Sequence, residues 1–162
     1  MKVISTYNLK GGVGKTAAAV NLAYIAAQSG LRTLLWDLDA QGAASFYLRV
    51  RPGLDGGAAA LLEDKRGLGR AIRATDFAGL DLIPADFTYR NLDVELRDYK
   101  KGGVRLRRML REVADDYDLV FVDSAPSMST VSENILAMTD LLLVPLIPTH
   151  LSLRAFEQLL AF

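Results

Sequence analysis

Cysteine is absent from the sequence, which excludes disulfides, thiolate metal sites and iron–sulfur ligation. Histidine is nearly absent too: His150 stands alone just after an apolar run, where such a residue is more often structural than catalytic. No apolar run approaches the roughly 18 residues that a membrane-spanning helix needs. The opening MKVISTYNLK lacks the charged-then-apolar order of an export signal. The expected compartment is therefore the cytoplasm. An excess of either charge is also missing, since Lys+Arg and Asp+Glu both number 19. Whole-chain charge gives no reason to expect nucleic acid or a membrane, so any such surface must be local.

What the chain does have is material for one core. Its 162 residues are 51% hydrophobic, enough for a single domain that buries roughly two-thirds of its unfolded surface. Apolar runs rich in strand formers recur at Val3 to Tyr7, Thr33 to Trp36, Leu80 to Ile83, Leu119 to Val122 and Leu141 to Leu146. Helical patterns separate most of them. The alternation predicts an α/β fold of three layers, with a mostly parallel sheet of five or more strands and helices on both faces. The first helical pattern, rich in alanine from Ala17 to Gln28, ends at Ser29-Gly30, where glycine suits the left-handed residue after a helix. Residues 51–57 carry the glycine and proline of a surface loop. No linker is long enough to announce a second domain.

The chemistry concentrates between the first strand and the first helix, in Lys10-Gly11-Gly12-Val13-Gly14-Lys15-Thr16 followed by Ala17. The three glycines let successive backbone N–H groups turn inward around a phosphate, and the following helix adds its positive end. Lys15 would reach the β and γ phosphates as a point charge, while the Thr16 hydroxyl would complete a Mg²⁺ shell. Leu9 occupies the place where the general P-loop pattern has its first glycine, and a second lysine, Lys10, opens the loop.

Two further segments end in acids. After Leu34-Leu35-Trp36 come Asp37 and Asp39, two residues apart and so on one face of a strand. They fall at the carboxyl end of the sheet, where open α/β folds bind ligands, and could meet a metal or a water there, or serve as solvated caps. Tyr117 to Asp123 is an apolar strand closed by a carboxylate, the arrangement that holds an acid near the Mg²⁺ of a P-loop, usually through water.

The form KGGVGKT, with a lysine at each end, resembles the deviant P-loop of the ParA/MinD family of ATPases. Asp37-Leu38-Asp39-Ala40-Gln41-Gly42 resembles that family's first switch, with Ala40 where proline is usual. Asp123-Ser124-Ala125-Pro126-Ser127 resembles its second switch, with Ala125 replacing a proline, and Val144 to Pro148 resembles the stretch that follows. The match runs almost end to end, although family members usually continue into further strands that finish the base pocket and partner surfaces.

The resemblance implies a three-layer P-loop NTPase-like fold, ATP and Mg²⁺ as cofactors, and a slow, partner-stimulated ATPase. Lys10 through Ala17 would hold the nucleotide. Lys10 would cross a two-fold interface to the partner's nucleotide, Asp39 would position the attacking water, and Asp37 would support the Mg²⁺ held by Thr16 and Asp123. The implied partners are a second copy in an ATP-dependent homodimer, nonspecific DNA and a ParB-like stimulating protein. The implied work is partitioning or cargo positioning, in the cytoplasm or at the nucleoid. Other readings of the same residues are MinD-like positioning, a nucleotide-binding module with little turnover, and a small-molecule kinase or ligase on the same fold. MinD-like work is disfavoured because no basic amphipathic helix of the membrane-surface kind closes the chain.

One local charge concentration stands out. Leu106, Met109, Leu110 and Val113 define a buried helical face, leaving Arg105, Arg107, Arg108 and Arg111 beside Lys100 and Lys101. This is a solvated helix face or a contact for DNA phosphate.

Overall fold

Side chains two apart on a strand face the same way, and in this protein each sheet face buries its own set. A computed structural model describes residues 1–64, 67–99 and 102–161. Strands β1 (Lys2–Thr6), β2 (Thr33–Asp37), β3 (Arg73–Ala74), β4 (Leu80–Ile83), β5 (Leu119–Asp123) and β6 (Leu141–Leu143) form one sheet in the order β3-β4-β2-β5-β1-β6. Only the β3–β4 pair is antiparallel. The expected α/β fold, with a mostly parallel sheet between helical layers, is what the chain forms.

On one face Val3, Leu34, Trp36, Ile83, Val120 and Val122 pack against α3 (Gly57–Glu63), α4 (Gly67–Ala71), α5 (Leu92–Arg97), α6 (Arg105–Leu110) and α7 (Thr130–Met138). The Trp36 indole is fully buried, and its Nε1 donates to the Tyr89 hydroxyl at 3.3 Å, so the large ring leaves no unmet donor. On the other face Leu35, Leu80, Leu82 and Phe121 pack against α1 (Lys15–Gln28) and α2 (Ala43–Tyr47). The α1 residues that touch the sheet are Ala19, Ala23, Ala26 and Ala27, whose small side chains bring the helix close to the strands. Gly30 ends α1 with φ of 86°, as expected of that position.

The last strand is shorter than the predicted Leu141 to Leu146. Strand β6 is the sheet edge, and its single neighbour β1 stops at Thr6, so pairing ends where the Tyr7 N–H donates to the Leu143 carbonyl. The next carbonyl used from this segment is that of Pro145, which a side chain takes instead. Helix α8 (His150–Ala161) follows, with His150 exposed at its start. Among the described residues no helix is long and apolar enough to cross a membrane.

The arginine-rich helix keeps its predicted buried face, Leu106, Met109 and Leu110. Arg105 leaves the charged face, however. Its guanidinium donates to the Leu62 carbonyl and lies 5.0 Å from the centre of the Tyr99 ring. Arg107, Arg108 and Arg111 stay exposed, whereas Lys100 and Lys101 lie outside the described residues.

Candidate functional site

Three neighbouring strands end level with one another. Thr6 of β1 and Asp37 of β2 are both in register with Asp123 of β5, so the central carboxyl edge of the sheet presents two carboxylates immediately below the loop that leaves β1. The loop from Lys10 to Thr16 closes over this edge and starts α1 at Lys15. Gly12 and Gly14 hold φ of 72° and 95°, a region that favours glycine. A Cβ added at Gly11, Gly12 or Gly14 would meet nothing within 4 Å, so those positions face open room. Val13 turns into the protein and anchors the loop.

The cleft so formed measures about 450 Å³, and Gly11, Gly12, Gly14, Lys15, Thr16, Ala17 and Asp39 line it together with Tyr47 of α2 and Ser124. Lys10 opens instead onto a neighbouring hollow against Leu151 and Arg154 of α8. Of the predicted loop residues, Gly11, Gly12, Gly14, Lys15, Thr16 and Ala17 share one cleft, Val13 is turned into the core, and Lys10 faces a different cavity from Lys15.

Lys15 is almost wholly buried, and its ammonium donates to the Lys10 carbonyl at 3.2 Å. Burial lowers its pKa, while the fields of Asp123 and Asp39 act in the opposite sense. Asp123 has both carboxylate oxygens buried and without a hydrogen-bond partner. Its pKa is pushed up to about 6, mainly by burial and further by Asp37 and Asp39. The Thr16 hydroxyl lies beside it and pulls the pKa down without completing a hydrogen bond. A buried carboxylate with no partner, beside a threonine hydroxyl and below a phosphate-sized cradle, fits a hydrated Mg²⁺, which asks for one or two carboxylates and keeps several waters. Among the described residues no group of three or more His, Asp or Glu is arranged for a metal, so an all-protein cage is not what this site offers.

Asp37 and Asp39 divide more sharply than their spacing suggests. Asp37 is fully buried, and its Oδ2 accepts from both the backbone N–H and the hydroxyl of Ser45, each at 2.8 Å. That hydroxyl also accepts the Ala85 N–H at 2.9 Å. Asp37 therefore clasps α2 to the sheet, and burial raises its pKa against the pull of Ser45. Asp39 lies beyond the strand end, half-buried, where Oδ1 accepts the Gln41 N–H at 2.9 Å and the side chain lines the cleft. Asp39 is thus the more accessible of the two to a water.

The loop after β5 is tied down by hydroxyls. Ser124 Oγ donates to the Thr6 carbonyl at 3.2 Å, the Tyr7 hydroxyl donates to the Ser127 carbonyl, and Ser129 caps α7. Sequence reasoning missed Tyr7, Asn8, Ser45 and Tyr47. Asn8 was the most legible of them, because an asparagine two residues before a glycine loop reads as an Asx turn.

The raised pKa of Asp123 has a direct consequence for stability. An acid that titrates near 4 unfolded and at about 6 folded binds more protons in the folded state between those values, so stability falls as pH rises through that window. Asp123→Asn removes that penalty. In EDTA at pH 8 the variant is expected to melt several degrees above the parent, a gain of at most about 3 kcal/mol. The gap should close toward pH 4. A parent that melts higher at pH 8 would mean that burial does not penalise this carboxylate.

A three-layer α/β sheet carrying a glycine loop between β1 and α1 defines a P-loop nucleotide-binding protein. Residues 1–162 match the family model described as an AAA domain over their whole length. The chromosome partitioning protein ParA of Myxococcus xanthus is 36% identical over 160 residues, covering 98% of this chain and 56% of that protein. The chromosome-partitioning ATPase Soj of Treponema pallidum is 35% identical over 159 residues, covering 98% of this chain and 62% of that protein. Among solved structures, cobyrinic acid a,c-diamide synthase from Mycobacterium smegmatis with bound ADP and magnesium superposes with a TM-score of 0.90 at 29% identity, over 99% of this chain and 66% of that one. The chain belongs to the ParA/MinD family, on its ParA/Soj side. It spans less than two-thirds of each of these relatives.

Proposed function

We propose that this chain is the nucleotide-handling part of a Mg²⁺-dependent ATPase that works as a dimerisation switch: ATP closes a two-fold pair, hydrolysis reopens it, and the cycle partitions DNA or positions another cargo. The observation that carries this reading is the separation of the two lysines. Lys15 faces the cleft beside Thr16, whereas Lys10 opens away from it, as a residue serving another subunit's nucleotide would.

In this reading the backbone of Gly11 to Gly14 cradles the phosphates, Val13 holds the loop to the core, and Lys15 neutralises charge on the β and γ groups. Bound Mg²⁺ supplies electrostatic stabilisation of the charge that develops on the transferred phosphoryl group. Thr16 and Asp123 would hold that ion, and Asp37 would support it at one remove by keeping α2 and the Asp39 turn in place. Asp39 orients the attacking water. Catalysis rests on positioning and electrostatics, so turnover is slow until a ParB-like partner completes the site. Phosphate release from ATP–Mg²⁺, measured with and without duplex DNA, tests the activity. Release that rises with DNA or partner fits the switch, and no release under any condition leaves only a nucleotide-binding module.

A second reading, a ligase or kinase acting on a small acid, is favoured by the fold shared with the synthase. Phosphate release that required a small-molecule acceptor and ignored DNA would select it.

For DNA, the exposed Arg107, Arg108 and Arg111 supply the charge. Binding should fall steeply with salt, because each neutralised phosphate releases counterions. The Arg107→Glu, Arg108→Glu double variant is expected to lose most low-salt affinity in a fluorescence anisotropy titration. Parent-like binding would make this helix a solvated face.

A further inference from the structure

Asn8 is almost completely buried, yet both ends of its amide are engaged. Its Oδ1 accepts the Lys10 N–H at 2.9 Å, and its Nδ2 donates to the Pro145 carbonyl at 2.8 Å. One side chain therefore joins the first residue of the phosphate loop to the segment between β6 and α8. A second strut runs parallel to it: the Lys10 ammonium reaches the Ser152 hydroxyl at 3.5 Å, and the Thr149 hydroxyl donates to the same oxygen at 3.1 Å. Ser152 is itself buried in the first turn of α8. Residues 145–152 are thus held at both ends by the pair Asn8 and Lys10.

The other end of this chain of contacts is Lys15, whose ammonium donates to the carbonyl of the same Lys10. A phosphate in the cradle competes for that ammonium with a full negative charge, whereas the Lys10 carbonyl offers only a dipole. With nucleotide bound, Lys15 would exchange this carbonyl for phosphate, which is the differential contact that a coupled conformational change requires.

We propose that Asn8 is a positioning residue that relays occupancy of the phosphate loop to residues 145–152. Transfer of the Lys15 ammonium to phosphate frees the Lys10 carbonyl, the Lys10 backbone shifts, and Asn8 carries the shift to the Pro145 carbonyl while the ammonium of Lys10 leaves Ser152. The start of α8 then reports whether nucleotide is bound. This rests on the nucleotide reading above and deepens it by naming the regulated segment.

Hydrogen exchange read by mass spectrometry on peptides covering 145–153, with and without saturating ATP–Mg²⁺, tests the relay, with calorimetry on the same samples as an independent check of binding. The parent should bind ATP and change exchange in this segment at least three-fold. Asn8→Asp keeps the acceptor for the Lys10 N–H but sets an oxygen against the Pro145 carbonyl, and it should lose that response at saturation. Ser152→Ala, which removes only the second strut, should lose about half of it and decides the matter should Asn8→Asp fail to fold. A parent that binds no ATP overturns the nucleotide reading itself. A parent that binds ATP without any response at 145–153, or variants that respond as fully as the parent, overturn the relay alone.

Discussion

Lys15→Ala is expected to abolish measurable ATP–Mg²⁺ binding. The substitution removes a charge-assisted contact to phosphate, which costs about 2 to 5 kcal/mol, or roughly 30- to several thousand-fold in affinity. The fold should tolerate it well. Lys15 is nearly buried, burial already disfavours its charge, and its ammonium donates to the neutral carbonyl of Lys10. Truncation therefore relieves a desolvated cation while it removes a ligand contact. Isothermal titration of a variant that melts within a few degrees of the parent gives the answer. Unchanged affinity would remove Lys15 from the phosphate site, and with it the assignment of the cleft.

Lys10→Ala and Asp39→Ala should move the oligomeric state in opposite directions. Lys10 does not line the cleft that holds Lys15, so its loss leaves most of the nucleotide contacts of its own chain in place. A two-fold interface repeats every contact, and two lost lysine–phosphate contacts should disfavour the closed pair by several kcal/mol. Asp39→Ala loses the group that orients water and relieves carboxylate repulsion near the γ-phosphate. Its structural cost is small, because one side-chain hydrogen bond to Gln41 is lost while the backbone bond from Gly42 N–H to the Asp39 carbonyl stays. The Asp39 variant should hold ATP in a long-lived dimer.

The parts of this protein that were legible from sequence are those governed by local pattern. The runs that became β1, β2, β4 and β5 were found within a residue or two at each end, because buried parallel strands are near-continuous apolar runs. The glycine loop announced its own backbone, since positive φ at Gly12 and Gly14 has few other occupants. What stayed hidden depends on partners distant in the chain. Strand β3 is two residues long and exists only through its antiparallel pairing with β4. Strand β6 stops early because β1 offers it no further partner. The spacing of Asp37 and Asp39 placed both at the sheet edge, but the capture of Asp37 by Ser45, eight residues on, needs the turn into α2. The inward turn of Arg105 depends on a carbonyl 43 residues away.

In the proposed function, the two lysines of one loop serve two different nucleotides. Size-exclusion chromatography with light scattering, run on the parent and on Lys10→Ala with ATP and Mg²⁺, tests it most directly. The parent should shift from one chain mass to two on adding ATP, while Lys10→Ala should bind ATP and keep the mass of one chain. A Lys10→Ala protein that dimerises as the parent does, or a parent that binds ATP and never dimerises, would contradict it.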